Sequence, residues 1–564
     1  MVRSARLIAL ATFGALTGCN AQAPPTSEPA KAAKTPVPPR HPQSSAPARE
    51  AKKPVTPVAS APSAASPPGA PLTPVRDKPE AVEPSRPPLV VEPPRFTVPP
   101  SLAQRQKVDD RYPFPQNTEK AKALREERRV AANKASVGVF DTLPGAKAPW
   151  AAAARRAMEA NAARLARTQS KASGVEYQEF HEALKAAVEA GCDDPLVEYW
   201  HVRFVLDSNP DRGWDPPASP ARQIEWYRKV LARLPNTPYP PSVRVHMAWN
   251  TFVYFDHAEK KASGTLRKGE LEAAEAAFWK VFRELAREKD RLSQQETVDR
   301  AVAAVSFSHD RGLGWEAGWR AADKVLAEAK APEWVRLSVE GAMLIEWAWE
   351  ARGRGFANTV TPEGARLLVE RLEKARGSLA RAWELQPNAP DAARWMIPVA
   401  MGLSLDRDEM EKWFRRAMEA DPDNEDACRA KMEWLQPRWY GSREDVLEFQ
   451  GQCYRTQNWY AHIPLLLDET VDERDLQTLA GPKNAAYFRD RRVWDRIRAG
   501  YEGYLTAYPD DRWVRTRYAI LCVAAGQRAA ATQFEALKGR PWTFAFPDRQ
   551  TYEDFLRRAG VAGK

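Results

Sequence analysis

Five cysteines and seven histidines are the side chains best suited to nucleophilic or metal chemistry, and their spacing limits what they can do. Cys19 stands apart from the rest. It follows an apolar run, Leu7–Leu16, through Thr17 and Gly18, and that run is too short to span a bilayer as a stable helix. Cys192, Cys428, Cys453 and Cys522 form no Cys-x-x-Cys pair, so thiol exchange and zinc binding lack their usual spacing. Cys428 and Cys453 fall on successive expected helices. They are the pair to test for a disulfide if the chain reaches an oxidising space, with buried free thiols as the other reading.

His181-Glu182 is followed by Lys185 where a zinc peptidase carries its second histidine. His201, His246, His257, His309 and His462 have no partner at ligand spacing, so no metal site is expected. Gly312-Leu313-Gly314 with Gly318 misses the dinucleotide fingerprint by one position. Gly264 to Gly269 lacks the Lys-Ser/Thr of a phosphate loop, and no Gly-x-Ser-x-Gly elbow occurs. Asp421, Asp423 and Asp426 lack the central glycine and distal glutamate of a calcium loop. They read as helix-capping groups, with Asp423 or Asn424 accepting from the next helix. No catalytic residue and no cofactor follows from these patterns.

Composition divides the chain. Of 48 prolines, 23 fall between Asn20 and Pro100, whereas all 20 tryptophans lie at or after Trp150. A Pro-, Ala- and Ser-rich stretch almost without aromatics cannot bury enough surface to fold. Residues 19–118 are therefore expected to be a disordered tether, able to reach on the order of 200–300 Å at ~3.1 Å per residue. The net charge of +10 belongs to this N-terminal part. Residues 136–564 carry 63 basic and 63 acidic groups, which gives no case for nucleic acid as a partner.

Helix signals begin at Trp150. Gly191 follows Tyr177–Ala190 as a C-cap, Asp194-Pro195 and Ser219-Pro220 open Leu196–Leu206 and Ile224–Leu234, and Thr361-Pro362 opens a helix to Gln386. Val243–Phe255, Glu270–Glu288, Trp315–Ala329 and Glu333–Ala351 carry helical apolar spacing. Ser293 with Glu296 has capping-box spacing ahead of Val298–Phe307. Glu119–Ala135 is charged with little apolar face and reads as a solvated helix or a disordered linker. No alternating, turn-bounded run argues for a strand, so the class is all-α.

The strongest internal pattern is a pentad repeated at 35 residues. Leu379, Ala382, Glu384, Pro387 and Ala392 recur as Phe414, Ala417, Glu419, Pro422 and Ala427. Helices ending in proline at such a period mark stacked helix pairs. The pattern resembles the tetratricopeptide repeat, with a worn third unit near Tyr504, Pro509 and Gly526. The first-helix Trp-x-x-Leu-Gly of that family is missing. Leu435–Ser442 with Asp445 and Phe449 also resembles an uncharacterised bacterial domain, which supplies no activity. The resemblance implies an irregular helical-repeat solenoid behind the tether.

Met1–Cys19, with Arg3 and Arg6 ahead of the apolar run and Leu16-Thr17-Gly18-Cys19 at its end, resembles the bacterial lipoprotein signal. That resemblance implies a signal peptide over 1–18, lipidation of Cys19, membrane attachment through the acyl chains and, with Asn20 next, an outer-membrane location facing the periplasm. The remaining divisions are a charged helix or linker at 119–149, a helical region at 150–360, a tetratricopeptide-like core at 361–470 and a C-terminal helical region at 471–564. Arg438, Trp439 and Tyr440, in the loop between Pro437 and Gly441, are left without a structural duty once Ser442 and Asp445 are assigned as a cap. They are the candidate partner-binding residues. The expected function is a non-enzymatic envelope lipoprotein presenting a helical-repeat surface to a protein. The alternatives are tryptophan-mediated binding of peptidoglycan or another cell-wall glycan, and a glycan hydrolase using paired carboxylates.

Overall fold

Capping chemistry sets most helix boundaries, as the sequence led us to expect. The computed structural model describes residues 112–165, 175–207, 218–260, 266–353, 355, 357–468, 488–489, 491–546 and 548–561. Cys19, the signal segment and most of the expected tether lie outside the described residues. Asn117 accepts from the Lys120 amide at the start of α1 (Thr118–Ala135). After α2 (Ala151–Leu165) and α3 (Val175–Glu189), Gly191 turns the chain at φ +84°. Asp194 takes the Leu196 and Val197 amides at the head of α4 (Pro195–Trp200), which continues into a π-helical turn, His201–Asp207. Ser219 caps α5 (Pro220–Arg233), and α6 (Pro241–Lys260) and α7 (Glu270–Leu285) follow.

The next helix corrects one expectation. α8 (Arg291–Asp310) is capped by Asp290, which accepts from the Ser293 amide, so Ser293 lies inside the helix. Glu296 is thereby released from a capping box and turned into the protein. The array continues through α9 (Trp315–Ala329), α10 (Glu333–Arg352), α11 (Pro362–Leu385, capped by Thr361) and α12 (Pro390–Gly402). Asp406 caps α13 (Arg407–Ala420), and Asn424 caps α14 (Glu425–Trp434). Ser442 and Asp445 form the full capping box of α15 (Arg443–Arg455). Two 3₁₀ segments follow, Trp459–Ala461 and Ile463–Asp468, and further along the chain come α16 (Arg491–Ala507), α17 (Arg512–Ala525), α18 (Ala529–Ala536) and α19 (Arg549–Ala559). Among the described residues there is no strand, and the protein is all-α.

Consecutive helices pair: α2 with α3, α6 with α7, α10 with α11 and α12 with α13. Alternate helices also meet, α8 on α10, α10 on α12 and α12 on α14, so one helix of each pair stacks on its counterpart in the next. Three positions of each repeated pentad lie in the seam of this stacking, while Glu384, Pro387 and Glu419 stay exposed. Leu379, Ala382, Ala392, Phe414, Ala417 and Ala427 are all at most 1 % exposed. Gly341 makes the α10–α11 approach possible, since a Cβ there would lie 2.5 Å from Leu379 Cγ. One apolar cluster runs from Val137 to Leu466 and a second from Leu465 to Phe555. No described helix is long and apolar enough to cross a membrane.

Of the two expectations for the charged stretch Glu119–Ala135, the helix is what forms, with Ala121 alone buried. As α1 it packs on α2, and its side chains reach residues about 300 positions further along the chain.

Candidate functional site

The N-terminal turns of several helices converge on one large cavity of about 1320 Å³. α8 contributes Gln295, Glu296 and Asp299, α12 contributes Asp391 and Arg394, and α14 contributes Glu425 and Asp426. α2 adds Asn161 and Arg164, α6 adds His246, and α4 with its π-turn adds Tyr199, Trp200 and Phe204. α1 lines another side with Leu124, Glu127, Ala131 and Lys134. Carboxylates in the first turns of helices are favoured by the helix dipole, which helps to explain why acids gather here.

The polar lining is tightly cross-linked at one end. Arg394 donates to Asp391 at 2.6 Å and to Asp426 at 2.8 Å, and Gln295 also donates to Asp391. Burial works against the Arg394 charge, yet Asp391 and Asp426 carry its pKa above the ordinary value. Burial raises the Asp426 carboxyl pKa, with Arg394 opposing it. Arg300 is 1 % exposed and sits 2.7 Å from Glu296 through Nε, but that N–H is not aimed for a hydrogen bond and Nη1 has no partner. Burial raises the Glu296 pKa against the pull of Arg300. His246 lies 3.4 Å from the same carboxylate, and burial, then Arg300 and Arg164, push its pKa down to about 3. The ring is therefore neutral at physiological pH, and its contact with Glu296 is not an ion pair.

Asp299 is the exception in this network. It has no hydrogen-bond or ion-pair partner among the described residues. Burial first, then the neighbouring Asp391 and Glu296, hold its carboxyl well above the usual range. It is thus the group at this site most inclined to keep a proton or to welcome a cationic or hydroxyl-bearing guest. No sequence motif marks these acids, because positions 296, 299, 391 and 426 come from three separate helices.

α1 crosses the rim of the cavity. Arg125 donates to both Asp423 oxygens, at 2.7 and 2.5 Å, and to Asn458 at 2.9 Å. Arg128 pairs with Asp421 at 2.6 Å, and Arg291 reaches Glu127 at 2.6 Å. Asp421 and Asp423, read from sequence as caps alone, are also the anchors of this distant helix; the Asp423 amide itself donates to Asp421 at 3.0 Å.

Arg438, Trp439 and Tyr440 form the corner after α14, and each has neighbours of its own. Arg438 pairs with Glu433 at 2.5 Å. Trp439 is half-buried, meets Trp349 edge-to-face at 5.5 Å and donates to Glu433 at 2.7 Å. Tyr440 remains 41 % exposed while its hydroxyl donates to the Met401 carbonyl at 2.8 Å. Its ring lies 5.3 Å from that of Trp434. Elsewhere the indoles are buried or half-buried; no described tryptophan is fully exposed. Cys428 and Cys453 are both fully buried free thiols and neighbours, on α14 and α15. Burial, then Cys453, raises the Cys428 thiol pKa.

Among the described residues no group of three or more His, Cys, Asp or Glu side chains is arranged to hold a metal ion. Neither a protein-family model, a curated protein nor a solved structure matches the chain.

Proposed function

We propose that the protein is a lipid-anchored, non-enzymatic component of the bacterial envelope that binds a polypeptide on its helical-repeat surface. The observation that carries this reading is the cavity. At about 1320 Å³ it exceeds the roughly 300–1,000 Å³ of ordinary small-molecule sites, and it is walled by residues of at least seven helices rather than closed around one compact ligand. Mixed charge beside Tyr199, Trp200 and Phe204 suits a peptide, whose backbone and side chains offer both polarities. Attachment through Cys19 would hold this surface on a long leash, raising its local concentration against envelope partners. Site-specific photo-cross-linking in intact cells tests the reading. A cross-linker at Ser242 or Leu292 on the cavity wall should yield one discrete polypeptide adduct that a cross-linker at outward-facing Lys324 does not. Failure of both wall positions to yield an adduct would count against it. Cys19→Ser should move the protein to the soluble fraction.

A second reading rests on Asp299 and Asp391, two neighbouring carboxyl groups on the cavity wall, the first inclined to stay protonated and the second held by Arg394. A glycan hydrolase needs one carboxyl group as acid and one as base. Release of reducing ends from peptidoglycan, lost in Asp299→Asn, would favour it over the binding reading.

A further inference from the structure

Residues 112–128 meet the α13–α15 end of the array through a small set of specific contacts. Phe114 lies 6.0 Å from Phe449 in a stacked arrangement and 5.6 Å from Phe414 edge-on, completing a three-ring cluster. The Tyr112 hydroxyl donates to Asp408, and the Lys120 ammonium donates to the Glu419 carbonyl. Arg125 forks onto Asp423 and lies 4.0 Å from the centre of the Tyr460 ring, and Arg128 takes Asp421.

Beyond these contacts the helix packs on α2 and Arg291 reaches Glu127. Its own apolar contribution is small: α1 buries a single residue, Ala121, leaves Val130 51 % exposed, and lines the cavity with much of its length. A helix held mainly by a few ion pairs and one aromatic anchor can be replaced by a competitor that supplies the same groups. We propose that the surface formed by Asp421, Asp423, Phe414 and Phe449 is a docking site for a basic, aromatic-led helix. Residues 112–128 occupy it in cis, and a partner segment of the same chemistry, with an aromatic leader and two arginines one turn apart, displaces them and uncovers the cavity. The inference rests on the polypeptide-binding reading and gives that polypeptide a chemistry. A cis occupant lowers the apparent affinity for any competitor in proportion to the time the site is free.

A fluorescent peptide of residues 112–136 tests it on the full chain. The peptide should bind Arg125→Glu/Arg128→Glu about tenfold more tightly than wild type, because the variant's own segment no longer competes. Adding Asp421→Lys/Asp423→Lys should abolish that binding. Equal affinity for wild type and the first variant, or no binding to a variant that still melts cooperatively, overturns the proposal. If the variant does not fold, hydrogen exchange on the wild type decides. Amides of 118–135 should exchange at least about a hundredfold faster than those of 335–345; equal protection overturns it. A concentration-dependent dimer of the wild type would make a second copy the occupant and also overturn it. Peptide binding as expected, without any cross-linked adduct from Ser242 or Leu292 in cells, would leave this site standing and remove the broader functional reading.

Discussion

Arg125 and Asp423, 298 positions apart in sequence, are joined by two hydrogen bonds of 2.7 and 2.5 Å. The Asp423 side chain is fully buried while the arginine keeps a fifth of its surface in solvent. Removing the arginine leaves a buried carboxylate with Asn458 as its remaining side-chain donor. Arg125→Ala should therefore cost about 1–3 kcal/mol, by the usual worth of hydrogen bonds to charged groups. Urea denaturation of Arg125→Ala, Asp423→Ala and the double variant would give the coupling directly, and coupling near zero would show that the pair contributes nothing.

Asp299 should make the protein less stable as the pH rises. Its folded pKa stands above the ordinary 3.8, so between those two values the folded chain holds a proton that the unfolded chain has released. Raising the pH through that window favours unfolding. Asp299→Asn should accordingly melt higher than wild type near neutrality, with the gap closing toward about pH 4. A constant gap across that range would contradict the assignment.

His246 acts in the opposite direction. Its pKa falls from 6.5 to about 3 on folding, so between those values the unfolded chain takes up the proton. Stability is then lost as the pH falls below 6.5 and continues to fall toward about 3. His246→Gln should flatten this acid limb in thermal melts, and titration of the ring by NMR should show it neutral throughout the physiological range.

Lys431 and Glu411 form a buried ion pair at 2.6 Å, the lysine lying 4.3 Å from the Phe414 ring and 4.5 Å from that of Phe449. Burial lowers the lysine pKa, with Glu411 resisting. Lys431→Met alone leaves the buried carboxylate with only Arg407, 3.7 Å away, and should cost about 3 kcal/mol, whereas Lys431→Met/Glu411→Leu should recover most of the loss. Chemical denaturation of the three variants distinguishes this from a simple packing defect, in which the double variant would be the worst.

Cys428 and Cys453 should become the one disulfide when the chain folds under oxidising conditions, since they are neighbours and both inaccessible afterwards. Refolding with oxidised glutathione followed by non-reducing peptide mapping should find that link and leave Cys192 and Cys522 free. In the reduced, folded protein all four should resist alkylation until denaturant is added, because burial also raises the Cys192 and Cys522 thiols to about 12.

Helix class and most boundaries were legible in the sequence because caps are local: Asp194, Ser219, Thr361 and Ser442 act on amides two or three residues away. The 35-residue pentad was legible for a related reason, since a stacking seam repeats its chemistry. Ser293 and Glu296 misled because capping-box spacing also occurs one turn inside a helix, and Asp290 holds the stronger position. The helix of α1 was legible as one of two alternatives, but its seat was not: its residues show almost no apolar face, and its partners, Asp421 and Asp423, lie too far along the chain for any window to join them. The cavity acids carry no spacing signal at all. They meet through the stacking of α8, α12 and α14.

The long-range seat of α1 also imposes an order of events on the nascent chain. Residues 118–135 are made early, but Asp423 follows Arg125 by 298 residues, about 15–60 s later at roughly 5–20 residues per second. For that interval α2 is available to pack against, but Arg125 and Arg128 lack their carboxylate partners and are open to chaperones, membranes or other chains. Closure of the rim is thus a late step, and it depends on the rest of the array having been built first.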